Sequence, residues 1–225
     1  MCLILIGWKT HPACPLVVAA NRDEFHARRA APAAYWRDRP EILAGRDLQA
    51  MGTWMGVSRA GRFAAVTNYR GAREASAAES RGALVTGFLA NGATPAAYTA
   101  DVAGRAASYS GFNLLAYDRR ELWWMSNRDG TPRRLEPGYY ALGNLLLDSP
   151  EVQPIKQRFS ETLPAVEPLF SLLLQAKIVN PEYGTRCSTV LLDDGKRMRY
   201  SERSFDADGT DGATVHFQLN SGSGH

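Results

Sequence analysis

The chain is short of cysteine and lysine and has no long apolar run. Its cysteines are Cys2, Cys14 and Cys187. An odd count of three does not build the even-numbered framework of a small stapled domain, and it points to a reducing compartment, read here as the cytoplasm. No stretch approaches the ~18–20 apolar residues of a membrane span, so stable membrane insertion is not expected. The apolar start Met1-Cys2-Leu3-Ile4-Leu5-Ile6-Gly7 lacks the basic flank and the length of a signal peptide. It reads instead as a buried strand that opens the chain. There is no Gly-rich phosphate loop, no G-x-S-x-G, no H-E-x-x-H and no C-x-x-C. His11, His26, His216 and His225 lie far apart and have no zinc-ligand spacing, so no metal site is expected. Only four lysines accompany 22 arginines. Arginine suits forked contacts with carboxylate or phosphate, but here it is scattered, which excludes the footprint of a nucleic-acid binder.

What is present is a globular composition. Hydrophobic residues make up 45% and the net charge is only +3, so a disordered chain is excluded. With 225 residues the chain can bury a core without staples. It reads as one domain over residues 1–219, and residues 220–225 (Asn-Ser-Gly-Ser-Gly-His) look like an expression scar.

The patterning predicts strands over 3–8, 16–20, 54–57 and 63–67, with Pro12 and Pro15 marking the first turn. Helices are predicted over 83–90 and from Pro95 to about 102, the second with Thr94 as N-cap. Strands follow over 111–118, 121–126 and 139–142. A helix is then expected from Ser149 to about 162, and another over 164–176 with Val166, Leu169, Phe170, Leu173 and Leu174 on one face. Strands close the chain over 188–192, 198–202 and 213–219, the first two joined at Asp194-Gly195. Neighbouring strands are linked by hairpins, which argues for antiparallel sheets with helices outside them and against a doubly wound parallel sheet.

Two features carry chemistry. If Met1 is removed, Cys2 exposes a thiol and an α-amine on one residue. Their reference pKa values are about 8.5 and about 7.7–8.0, so the amine can take the thiol proton near neutral pH. One residue then supplies nucleophile and base. The alternative is a small hydrophobe in a buried strand. The second feature is Asn21-Arg22-Asp23-Glu24 after the strand 16–20. Alternation puts Arg22 and Glu24 on one side and Asn21 and Asp23 on the other, with Asp23 placed to hold the residue-2 amine. The alternative is a solvated turn with a surface ion pair.

Met1-Cys2-Leu3 and Asn21-Arg22-Asp23-Glu24-Phe25 resemble the family named for its NRDE motif, whose eukaryotic members are called transport and Golgi organisation protein 2. Gly52-Thr53-Trp54-Met55-Gly56-Val57, Thr67-Asn68-Tyr69-Arg70, Ser80-Arg81-Gly82, Gly111-Phe112-Asn113-Leu114-Leu115 and Gly184-Thr185-Arg186 with Ser188-Thr189-Val190 also fit. The match spans nearly the whole chain. Departures are Gly143, where the family reads Ser, the missing Trp after Leu147-Asp148, and Cys187 in place of a common Ser.

The resemblance implies an α+β fold, a four-layer αββα sandwich of two antiparallel sheets like that of N-terminal-nucleophile hydrolases. By further analogy with choloylglycine hydrolases and penicillin V acylases, it implies Cys2 as nucleophile and Asp23 as the amine's holder. Asn68 and Asn144 become oxyanion donors, and Arg186 holds substrate or nucleophile. The activity expected is hydrolysis of an amide or thioester on an amphipathic acyl substrate, with no cofactor required. The alternative is a carrier: the family is implicated in haem trafficking and in lipid or acyl-CoA handling. Cys2, His26 or Tyr69 would then ligate haem as cargo. Arg22, Arg70 and Arg81 would meet propionates or phosphate, with Asn21 and Glu24 beside them. Nothing in the sequence sets the oligomeric state.

Overall fold

In the computed structural model, residues 2–71 and 79–220 are described. Their contacts divide into two units, one built from residues 2–29, 137–143 and 147–220, the other from 30–71, 79–136 and 144–146.

The first unit begins with β1 (Leu3–His11) and β2 (Cys14–Phe25). Both carry apolar residues on both faces near their centres, as a strand covered on each side must. The later strands of this unit are β10 (Gly138–Leu142), β11 (Tyr183–Asp193), β12 (Arg197–Phe205) and β13 (Asp211–Asn220). They form a six-stranded sheet in the order β10-β1-β2-β11-β12-β13, and every pair is antiparallel. Helices α3 (Gln153–Glu161) and α4 (Val166–Leu174) cover one face. Leu3, Leu5, Val17, Ala19, Val190 and Leu192 pack there against Phe159, Leu169, Phe170 and Leu173.

The second unit holds β3 (Ala30–Tyr35), β4 (Ile42–Asp47), β5 (Met55–Ser58), β6 (Phe63–Asn68), β7 (Phe112–Tyr117), β8 (Leu122–Ser126) and β9 (Arg133–Arg134). These pair in sequence order as a seven-stranded antiparallel meander. Its helices are α1 (Gly82–Ala90) and α2 (Pro95–Gly104). Thr94 caps α2 by accepting from the Ala97 N–H at 3.2 Å, with Pro95 in the first turn, where a missing N–H costs nothing. Leu84, Val85, Phe88 and Leu89 of α1 and Tyr98 and Val102 of α2 pack on Ala44, Ala64, Val66, Leu114 and Met125.

Each unit is thus one antiparallel sheet with one helix pair, and the α+β class expected from the sequence is observed. The helix predicted from Ser149 is split: a 3-10 turn at Pro150–Val152 precedes α3. β3 and β4 were not expected. No helix among the described residues is long and apolar enough to cross a membrane.

Candidate active site

Register builds the site in the first unit. Leu3 pairs with Asn21, which sets Cys2, one residue earlier, beside Arg22. On the other side of β2, Arg22 pairs with Cys187 of β11. Arg22 therefore lies between two thiols on neighbouring strands, all three on one sheet face. The opposite face carries Asn21, which is fully buried. Its Nδ2 donates to the Leu173 carbonyl of α4 at 2.9 Å and its Oδ1 accepts from Ser188 Oγ at 2.6 Å. Asn21 thus ties the sheet to α4, a structural task that satisfies a buried amide.

Asp23 is the hub. The Cys2 thiol donates to its backbone carbonyl at 3.6 Å, and the Tyr183 hydroxyl donates to the same oxygen at 3.2 Å. Its carboxylate Oδ1 accepts from Thr185 Oγ1 at 2.6 Å. Thr185 Oγ1 in turn accepts the Ile178 N–H at 2.8 Å, so that hydroxyl's one proton points at Asp23. Burial pushes the Asp23 carboxyl above its ordinary value, and the Thr185 bond works in the other direction. The Cys2 thiol is pushed up to about 11, first by burial and then by the Asp23 charge, against a lowering by Arg22. Cys187 also lies well above its ordinary value, again first through burial and then through Glu202.

The remaining expected residues have visible local tasks. Arg22 Nη2 pairs with Glu24 Oε2 at 3.6 Å, and Glu24 also meets Arg28 Nε at 3.7 Å. Arg186 occupies a bulge between Thr185 and Cys187. That extra residue re-aims its side chain, and Nη1 donates to the carbonyls of Phe25, His26 and Arg28 at 3.2–3.3 Å. It ties down the chain leaving β2. The His26 ring Nε2 lies 3.0 Å from the Asn180 carbonyl.

Asn68, Tyr69, Arg70, Arg81 and Asn144 belong to the second unit. There the Asn144 Nδ2 donates to the Asn68 carbonyl at 2.7 Å and Arg70 N–H donates to the Asn144 carbonyl at 2.6 Å. One N–H of the Asn144 amide thus serves a loop staple, and Asn68 is exposed. Tyr69 N–H donates to the Gly111 carbonyl at 2.9 Å, which Arg81 Nη1 reaches at 3.2 Å. Asn113 supports the staple by donating to the Leu145 carbonyl at 2.9 Å. Among the described residues no group of His, Cys, Asp and Glu could hold a metal ion.

Two partners escaped the sequence reading. Thr185 and Tyr183 stand 162 and 160 residues from Asp23, so only strand pairing reveals them. The signal available was the short segment Gly184-Thr185-Arg186, where Thr185 was quoted as part of a motif with no role assigned.

The model of the family described as Transport and Golgi organisation 2 matches residues 1–173. The chain belongs to this family. It is 32% identical to the cattle and human Transport and Golgi organization protein 2 homologs over 256 residues, covering 91% of this chain and 93% of each relative. The Drosophila melanogaster protein is 27% identical over 201 residues. Among solved structures, the chain is similar to the Caenorhabditis elegans ortholog of N-acylethanolamine-hydrolyzing acid amidase, with TM-score 0.56, 10% identity and coverage of 84% and 92%. It is also similar to the C2A mutant of conjugated bile acid hydrolase from Clostridium perfringens, with TM-score 0.54, 10% identity and 98% of both chains. Both neighbours have the N-terminal-nucleophile hydrolase fold. At this identity the likeness shows the fold, and it is the fold that the sequence resemblance implied.

Proposed function

We propose that this Transport and Golgi organisation 2 member is an N-terminal-cysteine hydrolase acting on the amide or thioester of an amphipathic acyl compound. The observation that carries the reading is the Cys2 thiol on the Asp23 carbonyl at 3.6 Å, with Asp23's carboxylate fixed by Thr185. Removal of Met1 would place a cationic or neutral amine at residue 2, next to a carboxylate already held in one orientation. The neutral amine takes the thiol proton, and sulfur attacks the carbonyl carbon. The tetrahedral intermediate expels the amine or thiol leaving group with that proton. Water then cleaves the acyl–sulfur bond and releases the acid. Asp23 positions the amine rather than reacting. The neighbours' names support the substrate class: one hydrolyses N-acylethanolamines, the other is a conjugated bile acid hydrolase whose solved form is altered at position 2.

The test is intact mass before and after exposure to an N-acyl amide and a long-chain acyl thioester. The reading expects loss of Met1 and one acyl group on Cys2, absent in Cys2→Ala. Retained Met1 with no acylation overturns it.

A second reading follows from the thiol itself. Burial holds it protonated with Met1 in place, and a protonated thiol is inert as nucleophile and as metal ligand, which suits a carrier that turns nothing over, of acyl-CoA or of haem ligated through His26 or Tyr69. Saturable binding of either ligand by the Met1-bearing chain, with no product formed, would favour the carrier.

A further inference from the structure

From Leu16 to Asp23 every residue of β2 is buried. The strand then ends on Phe25, which is 56% exposed. A single surface aromatic needs no explanation, but this one is fixed and has company. It pairs across the ladder with Tyr183, the first residue of β11. The two rings stand edge to face with centroids 5.2 Å apart, so each keeps a face that the other does not cover. The Phe25 carbonyl accepts from Arg186 Nη1 at 3.3 Å and from the Arg28 N–H at 3.0 Å. The exposed ring therefore sits on backbone that is tied down.

Strand periodicity sets what lies beside the rings. Asp23 and Phe25 are two residues apart on β2, and Thr185 and Tyr183 two apart on β11, so all four share one sheet face. They form two rows, Asp23 opposite Thr185 and Phe25 opposite Tyr183. The first row is the polar centre of the candidate site; the second is aromatic. Tyr183 joins them. Its hydroxyl donates to the Asp23 carbonyl at 3.2 Å, the same oxygen that takes the Cys2 thiol at 3.6 Å. From the sulfur outward the order is thiol, phenol hydroxyl, phenol ring, exposed phenyl ring.

We infer that Phe25 and Tyr183 form the subsite for the apolar chain of an acyl substrate held at Cys2, with Phe25 as a specificity-determining residue. The order of the groups selects this occupant. The inference rests on the hydrolase reading for the reacting end, which puts the carbonyl carbon at the sulfur. A ligand leaving the sulfur along Tyr183 then passes from polar to apolar surroundings, and it must do the same. In the amide or thioester of an amphipathic acyl compound that part is the acyl chain, since the leaving amine or thiol carries the polar groups. A saturated chain has no hydrogen bonds to lose on the rings. Each methylene taken fully out of water multiplies affinity roughly fourfold, so a ring that covers the equivalent of two is worth roughly tenfold.

The experiment is calorimetric titration of the full chain carrying Cys2→Ala, which binds without turnover, with N-butanoyl-, N-heptanoyl- and N-decanoylglycine. Affinity should rise with chain length. Adding Phe25→Ser should weaken the decanoyl probe about tenfold and the butanoyl probe less than about twofold. Phe25→Leu, apolar again, should recover most of the loss. Phe25 is exposed, so both changes should leave the thermal transition in place. A decanoyl probe that does not bind the Cys2→Ala chain, or that binds equally well with Phe25→Ser, overturns the subsite. An equal weakening of the butanoyl and decanoyl probes also overturns it, because the ring would then hold the head group. These chains lack the thiol, so the result is separate from acylation of Cys2 in the unaltered chain. Acylation there with no effect of Phe25→Ser here refutes the subsite alone; a chain-length effect lost in Phe25→Ser without acylation supports the subsite and refutes the hydrolase.

Discussion

Thr185 Oγ1 donates to Asp23 Oδ1 across the β2–β11 pair at 2.6 Å while accepting the Ile178 N–H at 2.8 Å. One hydroxyl thereby fixes a buried carboxylate and satisfies a backbone donor. Thr185→Val keeps the shape and removes both bonds. It should cost about 1–3 kcal/mol, the range for stranding a buried polar group, measured as a lower urea midpoint at unchanged slope. Thr185→Ser should recover most of it.

Asp23 itself is a stability liability at neutral pH. Its folded pKa is raised, chiefly by burial, so the fold favours the protonated acid. That contribution is fully present below the unfolded value of about 3.9 and is lost as pH rises through the raised folded value. Asp23→Asn should therefore raise the thermal midpoint at pH 7, with the gain vanishing near pH 3. Equal midpoints at both pH values would contradict the burial account. A more stable but inactive variant is the pattern expected where function holds a strained group in place.

Asn68 and Asn144 should separate cleanly. Asn144 uses its side chain as a staple to the Asn68 carbonyl, so Asn144→Ala should cost about 0.5–1.5 kcal/mol. Asn68 contributes that carbonyl, which Asn68→Ala retains, and its exposed side chain predicts a change within about 0.5 kcal/mol. Paired denaturation curves measure both.

Much of this was legible in the sequence because the determinants are local. The buried runs of β1, β2 and β11, the Thr94-Pro95 start of α2 and the Asp194-Gly195 turn each announce themselves within a few residues. β3 did not, since Ala-Ala-Pro-Ala-Ala-Tyr has no β-branched residue and contains a proline; its pairing with β4 makes it a strand. Asn21–Glu24 was read as the end of a strand, yet β2 continues to Phe25, because Asn21 finds Ser188 and Leu173 as partners. Arg186, expected to hold substrate or nucleophile, also holds three carbonyls of its own chain. Such roles depend on residues more than 150 positions away, which spacing along one chain does not encode.

The central claim is that freeing the residue-2 amine activates a thiol that is otherwise inert. Its most direct test is the pH dependence of Cys2 alkylation, followed by peptide mapping, in the Met1-bearing chain and in the chain lacking Met1. With Met1 in place the thiol should titrate at about 11. Without it the apparent value should fall toward that of an α-amine, about 7.7–8.0. Superimposed profiles for the two forms, both near the high value, would contradict the account.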